Sequence, residues 1–357
     1  MPSYPVTTAT ERYDAIVENG ALGRLAGAIP ARTGRVFTVT TRDVWQLHGG
    51  AFAAALGARK FETLFYPGGE DHKRLSSVEA LAEEMLAKGG DRASLVIGFG
   101  GGIVTDLAGF LAAIFMRGVP FISVPTTLLA QVDAGVGGKT GANLKSGKNL
   151  IGAFHQPLIV LADTAVLGTL PERELRAGLF EVLKCGVIRS APLFRTMVDE
   201  KDLVLRRDPA TIETLIAESV RIKCEVVSAD EKEQGLRKIL NFGHTVGHAL
   251  EAETQYGRFL HGEAVALGMK AAAWLSLYAG KIAEPVARQI VDAVDLYGPV
   301  PPAADLNPEH LLARLAKDKK TIRGSVHFVL ATGIGSTEVV SDLDNALVLK
   351  AIRKAIA

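Results

Sequence analysis

Up to about Asp163 the chain alternates short β-branched or apolar runs with longer stretches in helical period, and beyond that point the short runs largely stop. Runs at residues 15–18, 36–41, 63–65, 95–98, 121–124 and 159–161 predict strands separated by helices. That alternation implies a mostly parallel sheet covered by helices, which binds ligands at the carboxyl ends of its strands. Thr169-Leu170-Pro171-Glu172 reads as a helix start, with proline near the first turn. Helices are then predicted over 172–188, 210–228, 245–254, 263–279, 285–296, 308–317 and 342–357, interrupted by a hairpin over 326–340. The expected architecture is a Rossmann-like α/β nucleotide-binding domain, residues 1–168, followed by a mostly α-helical domain, residues 169–357.

Residues 95–149 concentrate the candidate chemistry. A buried strand over 95–97, glycines at 100–102 and a helix over 104–114 form a strand, tight turn and helix start. Residues 95–116 are apolar enough to imitate a membrane span, but the clustered glycines and Asp106 favour a buried strand and helix. Backbone N–H groups at such a turn, with the positive end of the helix dipole, suit a pyrophosphate. The plainer alternative is that Gly101 and Gly102 only close a βα connection. Asp106, read in the first helical turn, would meet ribose hydroxyls, and Thr126 and Thr127 supply hydroxyls after the next strand. Asp133, Lys139, Lys148 and Asn149 add charge and polarity to glycine-rich backbone.

With 357 residues and a net charge of +1, the chain has room for two domains and no electrostatic case for nucleic acid or an anionic membrane. Two cysteines, Cys185 and Cys224, give no disulfide framework, and the N-terminus lacks a basic head with an apolar run, so a cytoplasmic setting is expected. Of eight histidines, three crowd into His244, His248 and His261. His244 and His248, four apart, face one side of a helix as in HExxH zinc sites, but Thr245 replaces the glutamate and removes the protease reading. Hydrogen-bonded helix-end histidines are the alternative. Lys139, Lys148, Lys184, Lys223, Arg237, Lys320 and Arg117 all fall within motif-like stretches of a near-neutral chain, which suggests a focused anion site. Arginine forks onto carboxylate and lysine serves phosphate as a point charge, so a ligand carrying both groups is expected.

The stretches GGGIVTDLAGFLAA, MRGVPFISVPTTLLAQVDAGVGGKTGANLKSGKNLIGAFHQP, AGLFEVLKCG, DEKEQGLRKILNFGHTVGHALEA, LHGEAV and KDKK resemble, in order, those of the 3-dehydroquinate synthases, within the wider sugar-phosphate cyclases. The resemblance extends from about residue 70 to about residue 320. It implies NAD as cofactor, contacted by Glu70, Lys73, Gly101, Gly102, Asp106, Thr126, Thr127, Asp133, Lys139 and Lys148. Thr41 stands where the family usually carries an aspartate, and Asp43 is expected to substitute. It further implies Zn2+, or Co2+, on Glu181, His244 and His261, with His248 in the catalytic site but not a ligand. Glu263 is assigned to the surroundings of the metal or to a helix N-terminal charge. Substrate-site positions carry over to Asp133, Lys139, Asn149, Lys184, Lys223, Arg237, Asn241, His248 and Lys320, with Glu233 as a loop acid. Cys185 departs from the tyrosine common beside the lysine at 184.

The implied activity is a carbon–oxygen lyase of the shikimate route to aromatic amino acids, converting 3-deoxy-D-arabino-heptulosonate 7-phosphate to 3-dehydroquinate and phosphate with catalytic NAD. The implied partners are that phosphorylated sugar acid and a second copy of the chain, whose site Arg117 would reach. A sister cyclase would lack a substrate carboxylate, which makes Arg237 and Asn241 the discriminating residues. A metal-dependent polyol dehydrogenase would need no phosphate clamp and would accumulate NADH, and a non-catalytic regulator would bind NAD without turnover.

Overall fold

The computed structural model describes residues 3–9, 11–317 and 326–357, which group into two compact units. Unit 1 combines the chain up to Pro171 with residues 212–232, and unit 2 holds 172–211 and 233–357.

Unit 1 runs β1 (Ser3–Thr7), β2 (Arg12–Glu18), α1 (Leu25–Ala28), β3 (Val36–Thr40), α2 (Arg42–Leu56), β4 (Glu62–Phe65), α3 (Leu75–Ala87), β5 (Leu95–Gly100), α4 (Gly102–Ile114), β6 (Phe121–Pro125), β7 (Lys139–Leu144), β8 (Gly147–Phe154) and β9 (Ile159–Asp163). Its seven-stranded sheet has the order β1-β2-β9-β6-β5-β3-β4. All pairings in it are parallel except that of β1 with β2. Successive residues of a strand point to opposite faces, so continuous apolar runs feed two cores at once. Val36, Leu95, Ile97 and Phe99 pack with Phe52 and Leu56 of α2, whereas Phe37, Val39 and Val96 pack with Leu81 of α3 and Leu107 and Leu111 of α4. The chain steps outward from β3 to β4 and returns to β5 on the other side of β3. The order in which strands are added therefore reverses between β3 and β5, and α2 and α4 pack on opposite faces.

Each expected strand of this half is present; the edge strand β1 and the hairpin β7–β8 are additional to the expected set. The buried positions of β7 are Gly141, Ala142 and Asn143, too small or too polar to register as a strand pattern. Gly109 of α4 lets the hairpin approach, because a Cβ there would lie 2.5 Å from the Thr140 methyl.

Unit 2 contains α5 (Glu172–Arg189), α6 (Ala191–Asp199), α7 (Lys201–Leu205) and the start of α8 (Pro209–Ala229), most of which belongs with unit 1. It continues with α9 (His244–Glu253), α10 (His261–Tyr278), α11 (Glu284–Leu296), α12 (Pro308–Lys317), the hairpin β10 (His327–Gly333) and β11 (Ser336–Ser341), and α13 (Asn345–Ile356). α13 starts three residues later than expected at residue 342, because Asp342 has a left-handed φ of 59° and the Asp344 carboxylate accepts the Ala346 N–H at 2.8 Å. No helix among the described residues is long and apolar enough to cross a membrane.

α10 is the axis of unit 2, buried on nearly every side and packed by α5, α9, α11, α13 and β10. Two of its glycines allow backbones to touch. A Cβ on Gly262 would fall 1.9 Å from the Ala177 carbonyl oxygen of α5, and one on Gly268 would fall 1.9 Å from the Gly243 carbonyl oxygen beside α9. Gly268→Ala is therefore expected to destabilise the protein by about 3 kcal/mol or more, at the upper end of overpacking. Gly23→Ala, where a Cβ meets nothing within 4 Å, should stay within about 0.5 kcal/mol of the parent. Equal urea midpoints for the two variants would contradict the packing account.

Candidate active site

The strand ends at the reversal between β3 and β5 are where an open parallel sheet takes a ligand. Gly101 caps α4 there with an extended backbone, φ −70° and ψ −179°, and the leading N–H groups of a helix have no acceptor of their own. Cβ atoms on Gly101 and Gly102 would press on the Thr127 methyl at 3.1 Å and on Ala134 at 3.0 Å. Close packing therefore explains part of the glycine content, while the turn keeps its N–H groups at the strand end. Thr127 also accepts the Ala130 N–H on its hydroxyl at 3.2 Å, and the Thr126 N–H bonds the Gly100 carbonyl at 2.9 Å. Asp43 is exposed in the first turn of α2, which Thr41 precedes as N-cap.

Asp106 sits in the second turn of α4 rather than the first, because the helix begins at Gly102. Its carboxylate takes the Lys73 ammonium at 2.6 Å, and the same ammonium donates to the Asn149 amide oxygen at 2.6 Å. Burial pushes the Asp106 carboxyl above its ordinary range, with Lys73 acting in the opposite sense. Asn143 completes this network: its amide donates to the Glu70 carboxylate at 2.7 Å, its backbone N–H to the Lys73 carbonyl at 2.6 Å, and its side-chain oxygen accepts the Asn149 N–H at 2.8 Å. Lys148 lies 3.6 Å from the other Glu70 oxygen. Glu70, Lys73, Asp106, Lys148 and Asn149 are thus brought together as one cluster, and Asn143 is the member that sequence reasoning missed. Its only signal was a polar residue at an inward position of a short hairpin.

Further along unit 1, Asp133 lies in one turn of π-helix, Ala130–Ala134, and its carboxylate and backbone carbonyl both accept from Lys223 of α8, the carboxylate at 2.5 Å. Gly137 donates its N–H to the buried Tyr13 hydroxyl at 2.9 Å, which anchors the glycine pair before the exposed Lys139. Cys224 follows Lys223, and burial pushes its thiol up to about 12, so it stays protonated. Arg117 is exposed in a turn where Met116, Arg117 and Gly118 all have left-handed φ, at 50°, 71° and 119°.

In unit 2 the contact of Gly262 with Ala177 sets His261 beside Glu181, one turn further along α5. Lys184 donates to Glu181 Oε2, and both side chains are almost wholly buried. Glu181 Oε1 is buried with no hydrogen-bond partner and faces Nε2 of His244 at 3.6 Å and Nε2 of His261 at 3.9 Å. Ligand atoms about 2.1 Å from a tetrahedral ion stand about 3.4 Å apart, so these three fit a divalent metal with little adjustment. The His244 Nδ1–H donates to the Phe242 carbonyl at 3.2 Å, which turns its other nitrogen toward Glu181. A second trio, His244, His248 and His261, also has ligand atoms within 4.8 Å of one another. Helix-end hydrogen bonding alone does not account for the orphaned Glu181 oxygen.

Of the remaining candidates, Arg237 is fully buried, and the Asn241 amide donates to Glu233 at 2.5 Å. Glu263 is a helix N-terminal charge: it accepts the Leu260 N–H at 2.7 Å and forks with Arg173. Cys185 is buried beside Lys184. Lys320 lies outside the described residues.

A mostly parallel sheet followed by a mostly helical unit is the architecture of the solved sugar-phosphate cyclases that this chain resembles. A 2-deoxy-scyllo-inosose synthase complexed with carbaglucose-6-phosphate, NAD+ and Co2+ superposes with a TM-score of 0.88 at 27% identity, covering 98% of this chain and 99% of that one. A 2-epi-5-epi-valiolone synthase from Streptomyces hygroscopicus subsp. jinggangensis 5008, with NAD+ and Zn2+ bound, gives 0.84 at 30% identity, covering 96% of each. Sequence narrows the class. Profiles described as 3-dehydroquinate synthase N-terminal and C-terminal match residues 63–177 and 178–321, and the 3-dehydroquinate synthase of Solibacter usitatus is 57% identical over 357 residues, all of both chains. The chain belongs to the 3-dehydroquinate synthase family.

Replacing Lys73 by methionine would leave the Asp106 carboxylate without its cation. We expect a loss of roughly 2–4 kcal/mol in urea unfolding, below the full value for a buried pair because the Asp106 side chain keeps 19% exposure. The double replacement Lys73→Met with Asp106→Asn should recover part of that loss, and an unchanged midpoint for Lys73→Met alone would refute the role of the pair.

Proposed function

We propose that this protein converts 3-deoxy-D-arabino-heptulosonate 7-phosphate to 3-dehydroquinate and phosphate, acting as a carbon–oxygen lyase with catalytic NAD and a divalent metal. The observation that carries the metal part is the buried, unpartnered Glu181 oxygen facing His244 Nε2 and His261 Nε2. We assign the ion to these three residues, with one carboxylate and two imidazoles suiting Zn2+, or Co2+, and leaving a coordination position for substrate. We assign the pyrophosphate of NAD to the Gly101–Gly102 turn, supported by its place at the start of α4 and at the sheet reversal.

When bound, NAD would supply reversible hydride acceptance, which turns a substrate hydroxyl into a carbonyl that acidifies the adjacent carbon, and the divalent ion would supply Lewis acidity to that oxygen. The chain's own residues hold and orient the substrate. Arg237, whose guanidinium suits a carboxylate fork, and Asn241 take the substrate carboxylate, which separates this reading from a sister cyclase. Lys139, Asn149, Arg117 and Lys320 hold the phosphate, and Lys184, Lys223, Asp133 and His248 bind the remaining oxygens. Holding the phosphate near the reacting carbon lets it accept the proton itself, so no dedicated strong base is required. Glu233, bonded to Asn241, fixes the carboxylate end of the site.

The direct test supplies the heptulosonate phosphate with zinc and trace NAD and follows phosphate, NADH and dehydroquinate together. We expect equal phosphate and dehydroquinate with no accumulation of NADH, and loss of both after chelation with recovery on adding zinc back. Accumulating NADH would instead indicate a dehydrogenase, and activity that survives chelation would remove the metal role.

The working form is a cytoplasmic homodimer in which Arg117 serves the partner's site. Support comes from the run of left-handed residues that presents Arg117 and from the exposed apolar side chains of Ile114 and Met116, within three residues of it in the chain. Two buried free thiols agree with a reducing compartment. Arg117→Ala and Lys139→Ala should each be inactive, yet mixed dimers should regain about a quarter of parental activity, because half the dimers are mixed and each has one intact site. No regain on unfolding and refolding the two together would place Arg117 outside the neighbouring site.

A further inference from the structure

α9 carries a third acidic or imidazole group on the face that bears His244 and His248. Glu251 lies seven residues after His244, two turns along, and only 2% of it is exposed. Burying a carboxylate costs several kcal/mol unless it is paired and hydrogen-bonded, so its presence there needs a partner. One partner is His261, whose Nδ1–H donates to Glu251 Oε2 at 3.1 Å. A neutral imidazole that gives up its Nδ1–H in a hydrogen bond must keep its lone pair on Nε2. That nitrogen is the one 3.9 Å from Glu181 Oε1. His244 is set in the same sense by a neutral acceptor, the Phe242 carbonyl.

The geometry points to Glu251 as a positioning residue for the metal site, a role that rests on the assignment of the ion to Glu181, His244 and His261. Its carboxylate fixes the tautomer and tilt of His261 and makes that imidazole the stronger electron donor of the two, which tightens metal binding. The residue touches neither substrate nor ion. Because a carboxylate is a stronger acceptor than an amide carbonyl such as that of Phe242, weakening the acceptor and removing it are separable steps. Glu251→Gln keeps an oxygen for Nδ1–H, whereas Glu251→Ala leaves the ring unsupported.

Zinc affinity, measured by competition with a chromophoric chelator, tests the proposal together with the visible d–d spectrum of the cobalt-loaded protein. We expect the zinc Kd to rise about tenfold in Glu251→Gln and towards about 100-fold in Glu251→Ala. The cobalt bands should shift in the same order, while the unfolding midpoint of metal-free Glu251→Gln stays with the parent. Affinities within about threefold of the parent in both variants, with unmoved cobalt bands, would overturn the role. A 15N spectrum of histidine-labelled, zinc-loaded parent protein needs no variant: His261 must show a protonated Nδ1 and a metal-bound Nε2, and the reverse pattern overturns the proposal. Glu181→Ala separates the two levels of inference. If zinc binding survives that replacement, the assignment of the ion itself fails; if it is lost there but unchanged on replacing Glu251, only the positioning role fails.

Discussion

Backbone contact between helices, made possible by missing side chains, is the constraint on which the helical unit depends. Gly262 and Gly268 lie one and seven residues past His261 on α10, and each brings a neighbouring carbonyl closer than any Cβ would tolerate. Gly247 on α9 repeats the arrangement, since a Cβ there would sit 3.0 Å from the Ala264 carbonyl. Packing at that distance is rigid, because small displacements forfeit contact on both sides. Three polar side chains from three helices can then be held a few ångströms apart without a covalent link or a long loop. The polar cluster of this unit is a by-product of that closeness, and each member is then oriented by its own hydrogen bond.

The α/β unit solves a different problem. Its candidate residues come from a turn after β4, from α4 and from a small hairpin, and no close-packed helix pair joins them. A buried ammonium does so instead. Lys73 draws Asp106 and Asn149 to one nitrogen, and Asn143 stitches the hairpin to the turn through backbone and side chain together. A network of this kind is demanding, because an unsatisfied member in a low-dielectric setting costs more than the bond it would have made.

Much of this was readable in the chain beforehand, for identifiable reasons. The six sheet strands expected in the first half are short β-branched or apolar runs, and the long helices of the second half carry strong periodicity, so both classes of element declare themselves. The histidine cluster showed as a local excess, and Glu181 came only through family resemblance, since a lone glutamate in a helix has no distinguishing pattern. The hairpin that starts at Lys139 stayed hidden because its buried residues on β7 are glycine, alanine and asparagine. Glu251 stayed hidden for a related reason: its meaning lies in His261, ten residues on and in another helix. Glu263, two candidate roles in the sequence, proved to be a helix cap because its carboxylate meets both the Leu260 N–H and Arg173.

Asn149 shows how narrowly one position can be specified. Its backbone is left-handed, with φ 50°, a region open mainly to glycine, asparagine and aspartate. Its side-chain oxygen also has to receive the Lys73 ammonium. Glycine could follow the main chain but offers no acceptor, and glutamine has the acceptor but not the ease in that conformation. Aspartate meets both demands, yet it would set a second anion against Asp106 across a single cation. The genetic alphabet therefore holds no neutral synonym for this residue, and drift at the position has almost nowhere to go.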